Sequence, residues 1–206
     1  MTVFIGVSAA ALILAAYQLN PLCFYLSPLV IGVLFFYSLT KRFTWASHLV
    51  LGLSLGGAPL GAWIAVAGTF DLPPIVLGAA VLCWVAGFDI LYACQDYEFD
   101  RGAGLHSIPV RFGLVGALNF ARAFHLAALC ALCWVGLLME LRVIYWVGIG
   151  IVALLLLWEH RLVKPDDLTK VNMAFMTMNS LVSVVFFGFT VADLLLLGGD
   201  FMLWSQ

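Results

Sequence analysis

Four acids fall within a short reach of an otherwise apolar chain: Asp89, Asp96, Glu98 and Asp100. They stand in "GFDILYACQDYEFDRGAGLHSIPVRFG", Gly87 to Gly113, where Arg101, His106 and Arg111 come after them. A helical residue advances about 100°, so Tyr92 lies roughly 60° from Asp89, and Asp96 and Asp100 each lie within roughly 20° of it. Asp89, Tyr92, Asp96 and Asp100 therefore share one stripe, provided the helix runs on to Asp100. Glu98 falls on the opposite face and reads as a solvated charge. "RGAG" looks like the helix end, with Gly102 or Gly104 as the stop.

Three carboxylates on one stripe repel each other unless something positive lies between them. A hard cation such as Mg²⁺ takes oxygen ligands, commonly one or two carboxylates plus substrate phosphates. The stripe suits a metal-bound pyrophosphate with basic residues nearby. For Asp100 the bland reading is an ordinary solvated helix end. Asp89 comes after the apolar run "LCWVAGF", where an unpaired charge is expensive; its bland reading is a structural hydrogen bond between helices. Other phosphate and metal chemistries fail on their motifs. Asp166-Asp167 is followed by Leu168-Thr169-Lys170, so no Asp-Asp-x-x-Asp exists. The CDP-alcohol transferase pattern, Gly-x-x-x-x-Gly-Lys, His-Glu-x-x-His and Gly-x-Gly-Asp are also absent.

The elements that must carry this stripe can be read from composition. The chain has 206 residues, 65% hydrophobic and 10% charged, against about 45–50% and about 25% in soluble domains. That excludes a large soluble core and points to an all-α membrane protein. Seven apolar runs have spanning length: approximately 2–19, 22–39, 47–68, 73–94, 114–138, 143–160 and 171–197. Asn20-Pro21 makes the first connection tight, and Pro73-Pro74 opens the fourth helix where proline is tolerated. Lys41, Arg42, Arg101, Arg111, Arg122, Arg161, Lys164 and Lys170 collect at one set of helix ends, and Arg142 alone marks the other. By the positive-inside rule the first set is cytoplasmic, and the acidic stripe faces that side. The chain reads as one transmembrane helical domain over 1–206. Cys130-x-x-Cys133 lies in "LCALCWVGLL" without a partner pair and reads as helix packing. His48 and His106 read as loop or interface histidines, and Asn179 as an interhelical hydrogen-bonding residue.

Asp89-x-x-Tyr92-x-x-x-Asp96-x-x-x-Asp100 resembles the second aspartate-rich motif of the UbiA superfamily of intramembrane prenyltransferases. "GLHSIPVRFG" is similar to that family's continuation after the motif. Residues 35–66, "FFYSLTKRFTWASHLVLGLSLGGAPLGAWIAV", resemble its preceding loop and helix, with the family's Tyr-x-x-x-Lys as Tyr37-Ser38-Leu39-Thr40-Lys41. "NMAFMTMNSLVSVVFF", from Asn172, resembles its last helix. The branch most resembled is the 4-hydroxybenzoate polyprenyltransferases of ubiquinone synthesis and their menaquinone-pathway relatives.

The resemblance implies a nine-helix bundle, of which this chain resembles the last seven helices. It implies Mg²⁺ as cofactor, with a prenyl diphosphate, an aromatic acid acceptor and membrane lipids as partners and no nucleic acid. The setting implied is a bacterial inner membrane with a cytoplasmic-facing site. Asp96 and Asp100 are expected to contact Mg²⁺. Asp89 completes the metal site or orients the acceptor, and Tyr92 bonds a carboxylate or diphosphate oxygen. Tyr37 and Lys41 resemble the family's diphosphate-side pair, and Arg42 and Arg111 are further candidates for the pyrophosphate. The family's first motif, Asn-Asp-x-x-Asp-x-x-x-Asp, is not present, because no Asp or Glu precedes Asp71. The expectation is an N-terminally incomplete copy, inactive or nearly so by itself. A transporter and a non-catalytic remnant are the competing classes. Clustering of the acids at one helix end, without an internal repeat, favours the enzyme over the transporter.

Overall fold

The computed structural model describes residues 2–197. Helix α1 (Thr2–Leu19) is followed by α2 (Pro21–Thr40), α3 (Ser47–Ala67) and α4 (Leu72–Ala93). Next come a 3₁₀ turn (Cys94–Asp96), α5 (Tyr97–Gly102), α6 (Ile108–Leu138) and α7 (Val143–Leu162). Helix α8 (Val171–Met173) runs through a π-helical turn (Ala174–Met178) into α9 (Asn179–Leu196). The fold is all-helical among the described residues. Six helical stretches are long and apolar enough to cross a membrane, and a shorter apolar helix, Val3–Leu19, precedes them. Large apolar side chains such as Phe4, Val66 and Leu195 stand exposed along them, as a lipid-facing surface requires.

The helix ends are written locally. Asn20 accepts the Cys23 N–H at 2.9 Å and so caps α2, with Pro21 at its first position. Its amide also donates to the Ile64 carbonyl at 2.7 Å, tying the α1–α2 turn to the end of α3. Helix α7 has no capping side chain of its own. Asp193 of α9 supplies one, accepting the N–H groups of Arg142 and Tyr145 at 2.7 and 3.0 Å. Gly113 has φ +71° and interrupts α6, which begins at Ile108, six residues before the apolar run read from 114.

Helix α4 is the hub, and small residues let its neighbours approach. A side chain on Gly56 would meet the Gly78 carbonyl oxygen at 2.5 Å, and one on Gly78 would meet the Gly56 carbonyl oxygen at 2.6 Å. The α3 and α4 backbones therefore touch, a packing mode that small residues permit between membrane helices. On the α6 side, Ala86, Ala117 and Ala121 are fully buried. Ile90, Leu91, Cys94, Ile108 and Leu118 form a buried apolar cluster with Val163, Val171 and Ala174. That cluster braces the end of α4 where the acids begin.

Candidate active site

The acidic stripe is not one continuous α-helix. The 3₁₀ turn at Cys94–Asp96 separates α4 from α5. A 3₁₀ residue advances about 120° rather than about 100°, so three of them rotate the faces of α5 by roughly 60° relative to α4. The stripe becomes a fan. Asp89 faces α3, and Asp100 faces the end of α2. Glu98 is exposed, as its position on the opposite face predicts.

Asp100 is not a solvated helix end: its side chain is 3% exposed, and its Oδ2 lies 3.1 Å from Lys41 Nζ. The loop after α5 encloses it. Leu105 N–H donates to the Asp100 carbonyl at 2.9 Å and Gly104 N–H to that of Arg101 at 3.4 Å, while Gly104 takes φ +67°. This is a Schellman stop, with Gly104 rather than Gly102 in the left-handed position. The chain then folds back, and His106 N–H donates to the Lys41 carbonyl at 2.8 Å. The residue that pairs with Asp100 is thus also held by its backbone. Ser107 caps α6 by accepting the Val110 N–H at 3.4 Å.

Asp89 Oδ2 lies 2.7 Å from Nδ1 of His48, whose side chain is fully buried. Tyr37 is half-buried one turn before Lys41, and its carbonyl accepts the Thr40 hydroxyl at 2.7 Å. The structure therefore brings Lys41 to Asp100 and His48 to Asp89. Tyr92 packs its ring against Phe175 at 4.4 Å, and Phe175 also meets Phe88 at 5.5 Å. Among the described residues Tyr92 makes no hydrogen bond to a carboxylate. Arg111 lies over the rings of Trp45 and Phe112, 5.6 Å from each centroid. Arg42 is exposed.

His48 is the side chain that sequence reasoning passes over. Its one signal is chemical: an acid buried in an apolar helix needs a polar partner, and His48 opens the neighbouring apolar helix. Asn179 does bridge helices, accepting from Trp84 Nε1 at 3.1 Å and donating to the Phe175 carbonyl at 2.8 Å. A second buried polar group, unforeseen, lies elsewhere. His125 Nδ1 is 3.0 Å from His160 Nε2 and 3.8 Å from Glu159 Oε2, and its ring packs where a side chain on Gly87 would stand. Gly87 is two residues from Asp89, roughly 200° around α4, so this group is not part of the carboxylate wall.

Asp89, Asp96 and Asp100 could hold a hard cation only together with further ligands. Asp96 is half-buried, and its side chain carries no hydrogen bond or ion pair among the described residues. Asp89 and Asp100 each engage only Oδ2. No three His, Cys, Asp or Glu residues among those described gather to hold a metal by themselves. Mg²⁺ bound to one or two carboxylates and completed by substrate phosphates matches this wall. A groove of about 340 Å³ between α1 and α2, lined by Phe4, Leu12, Leu34 and Phe35 among others, contains none of these residues.

The sequence pattern of the UbiA prenyltransferase family matches residues 1–181. A 4-hydroxybenzoate octaprenyltransferase from Edwardsiella ictaluri is 30% identical over 174 residues, covering 84% of this chain and 60% of that protein. A 4-hydroxybenzoate solanesyltransferase from Synechocystis is 35% identical over 150 residues, covering 71% of this chain and 51% of that protein. The apo structure of a UbiA homologue from Aeropyrum pernix superposes with a TM-score of 0.81 at 30% identity, over 92% of this chain and 70% of that one. The chain thus spans about half to three fifths of the length of these curated relatives. With its helical architecture and the Asp89–Asp100 wall, the chain belongs to the UbiA prenyltransferase family.

Proposed function

We propose that residues 1–206 form one prenyltransferase-type membrane domain carrying one wall of a polyprenyl diphosphate site. The reaction served is transfer of a polyprenyl group to an aromatic acid such as 4-hydroxybenzoate, as in quinone biosynthesis. The observation that carries this reading is the pairing of buried Asp100 with part-exposed Lys41, four residues along from Asp96, whose side chain carries no hydrogen bond or ion pair among the described residues. A carboxylate and an ammonium held together at a helix end offer ligands for both parts of a metal diphosphate. Asp96 and Asp100 would hold Mg²⁺, which when bound offsets the charge on the departing diphosphate. Lys41 donates to diphosphate oxygens, and Arg42 and Arg111 supply further positive charge at the mouth. Asp89 and Tyr37 lie deeper and orient the acceptor. Phe88, Tyr92 and Phe175 wall the space beside Asp89 with aromatic faces, which exclude water from an allylic cation.

The arrangement of lysines and arginines supports a cytoplasmic-facing site, and the bacterial relatives support a bacterial inner membrane. The opposing carboxylates are not among these residues, since no Asp or Glu precedes Asp71. Turnover therefore requires an added segment with the Asn-Asp-x-x-Asp-x-x-x-Asp pattern. The test reconstitutes the chain in lipid nanodiscs with Mg²⁺, geranyl diphosphate and 4-hydroxybenzoate. It is assayed alone and after co-expression with the N-terminal carboxylate-bearing helices of the Edwardsiella relative. Prenylated product only in the second arm supports the reading. Product at relative-like rates from the chain alone contradicts the need for a second wall. No product in either arm favours the non-catalytic remnant.

A further inference from the structure

The His48 ring touches two partners that fix its orientation. Nε2 lies 3.4 Å from the Ile108 backbone nitrogen. A backbone N–H only donates, so Nε2 is the unprotonated acceptor. The neutral ring then carries its proton on Nδ1, which lies 2.7 Å from Asp89 Oδ2. Nδ1–H therefore donates to the carboxylate. Ile108 opens α6, and its N–H belongs to the first turn, where no carbonyl of the same helix is available. One fully buried imidazole from the start of α3 thus joins the Asp89 carboxylate on α4 to the N-terminus of α6.

We propose that His48 is a positioning residue for the aromatic acceptor, acting through Asp89. Its Nδ1–H anchors Oδ2 and turns Oδ1 toward the open side, where Asp89 keeps 20% of its side chain accessible. Oδ1 then accepts a hydrogen bond from the acceptor's phenolic hydroxyl. The imidazole keeps its bond from the Ile108 N–H at Nε2. Its contribution is orientation, and the coupling to α6 means that displacement of the 103–107 loop would also disturb the acceptor subsite. The ligand class is a small hydroxylated aromatic acid. This role rests on the acceptor-binding reading above.

The test has two independent readouts. The first is ¹⁵N NMR of histidine-labelled full chain in nanodiscs, with His48 assigned by its loss in His48→Gln. We expect the Nδ1–H neutral tautomer at neutral pH, a shift of that signal in Asp89→Asn, and a further shift when 4-hydroxybenzoate is added to wild type but not to Asp89→Asn. An Nε2–H tautomer or an imidazolium overturns the assignment, whatever the activity of the chain. The second readout is turnover in the co-expressed assembly. His48→Leu should lower kcat/KM for the aromatic acid at least about tenfold and leave KM for geranyl diphosphate within about twofold. His48→Gln, which retains a donor for Asp89, should recover most of the loss. Equal kinetics for His48→Leu and wild type, or a parallel rise in both KM values, overturns the positioning role. If wild type makes no product, the prenyl-transfer reading fails, and the NMR result decides the His48 geometry by itself.

Discussion

Lys41 Nζ and Asp100 Oδ2 lie 3.1 Å apart, joining the end of α2 to the end of α5 across 59 residues of sequence. The lysine is part-exposed and the carboxylate is 3% exposed. Removing the lysine strands a buried charge, whereas removing both charges does not. Lys41→Met should lower stability by about 2 kcal/mol, and Lys41→Met/Asp100→Asn should recover most of that. Neither variant should retain diphosphate affinity. Thermal unfolding in detergent, paired with calorimetric titration of Mg²⁺–geranyl diphosphate, separates the structural part from the binding part.

The α3–α4 contact makes a sharper packing prediction. Gly56 and Gly78 face each other's backbone, while Gly57 and Gly61 have open space around them. Gly56→Ala and Gly78→Ala should each destabilise by about 1–3 kcal/mol. Gly57→Ala and Gly61→Ala should have little effect. Unfolding midpoints of the four variants in one detergent decide the matter, and equal losses at all four would refute the close approach.

Asp193 is predicted to hold α7 in place. It accepts the Arg142 and Tyr145 N–H groups at a helix start that has no side chain of its own to do so. Asp193→Ala should cost about 2 kcal/mol. Amide hydrogen exchange should quicken first at Arg142 and Tyr145, before any change near Asp100.

A pH effect is expected in the loop between α3 and α4. The Thr69 hydroxyl and then the Trp63 indole donate to Asp71 and hold its carboxyl below the usual carboxylate range. A depressed folded value contributes stability that is fully present above the unfolded value, near about 3.9. That stability is lost as pH falls through the lower, folded value. The Trp63 indole N–H resonance should therefore titrate below the ordinary carboxylate range. In Asp71→Asn this titration should vanish.

How much of the fold and the site is legible in the chain depends on whether a feature is local. The Asp89–Asp100 spacing, a glycine stop at Gly102 or Gly104 and the tight Asn20–Pro21 turn are all set by neighbouring residues, and each is readable. The 3₁₀ turn at Cys94–Asp96 carries no Gly or Pro to announce it, so a regular helix puts the acids in one line instead of a fan. Asp100 meets Lys41 across 59 residues, and the His106 N–H reaches the Lys41 carbonyl, contacts between segments far apart in sequence. For the same reason His48 reads as an ordinary histidine: its partners, Asp89 and Ile108, lie 41 and 60 residues away. Tyr92 is readable as a member of the acidic face, but its ring contact with Phe175 depends on where α9 packs.

The central claim is that Asp96 and Asp100 present a metal diphosphate site. Titration of Mg²⁺–geranyl diphosphate into the nanodisc-embedded chain tests it directly, comparing wild type with Asp96→Asn/Asp100→Asn, with and without Mg²⁺. The account predicts saturable, Mg²⁺-dependent binding that weakens at least about tenfold, or about 1.4 kcal/mol, in the double variant. Equal affinity in the two proteins, or binding indifferent to Mg²⁺, would contradict it.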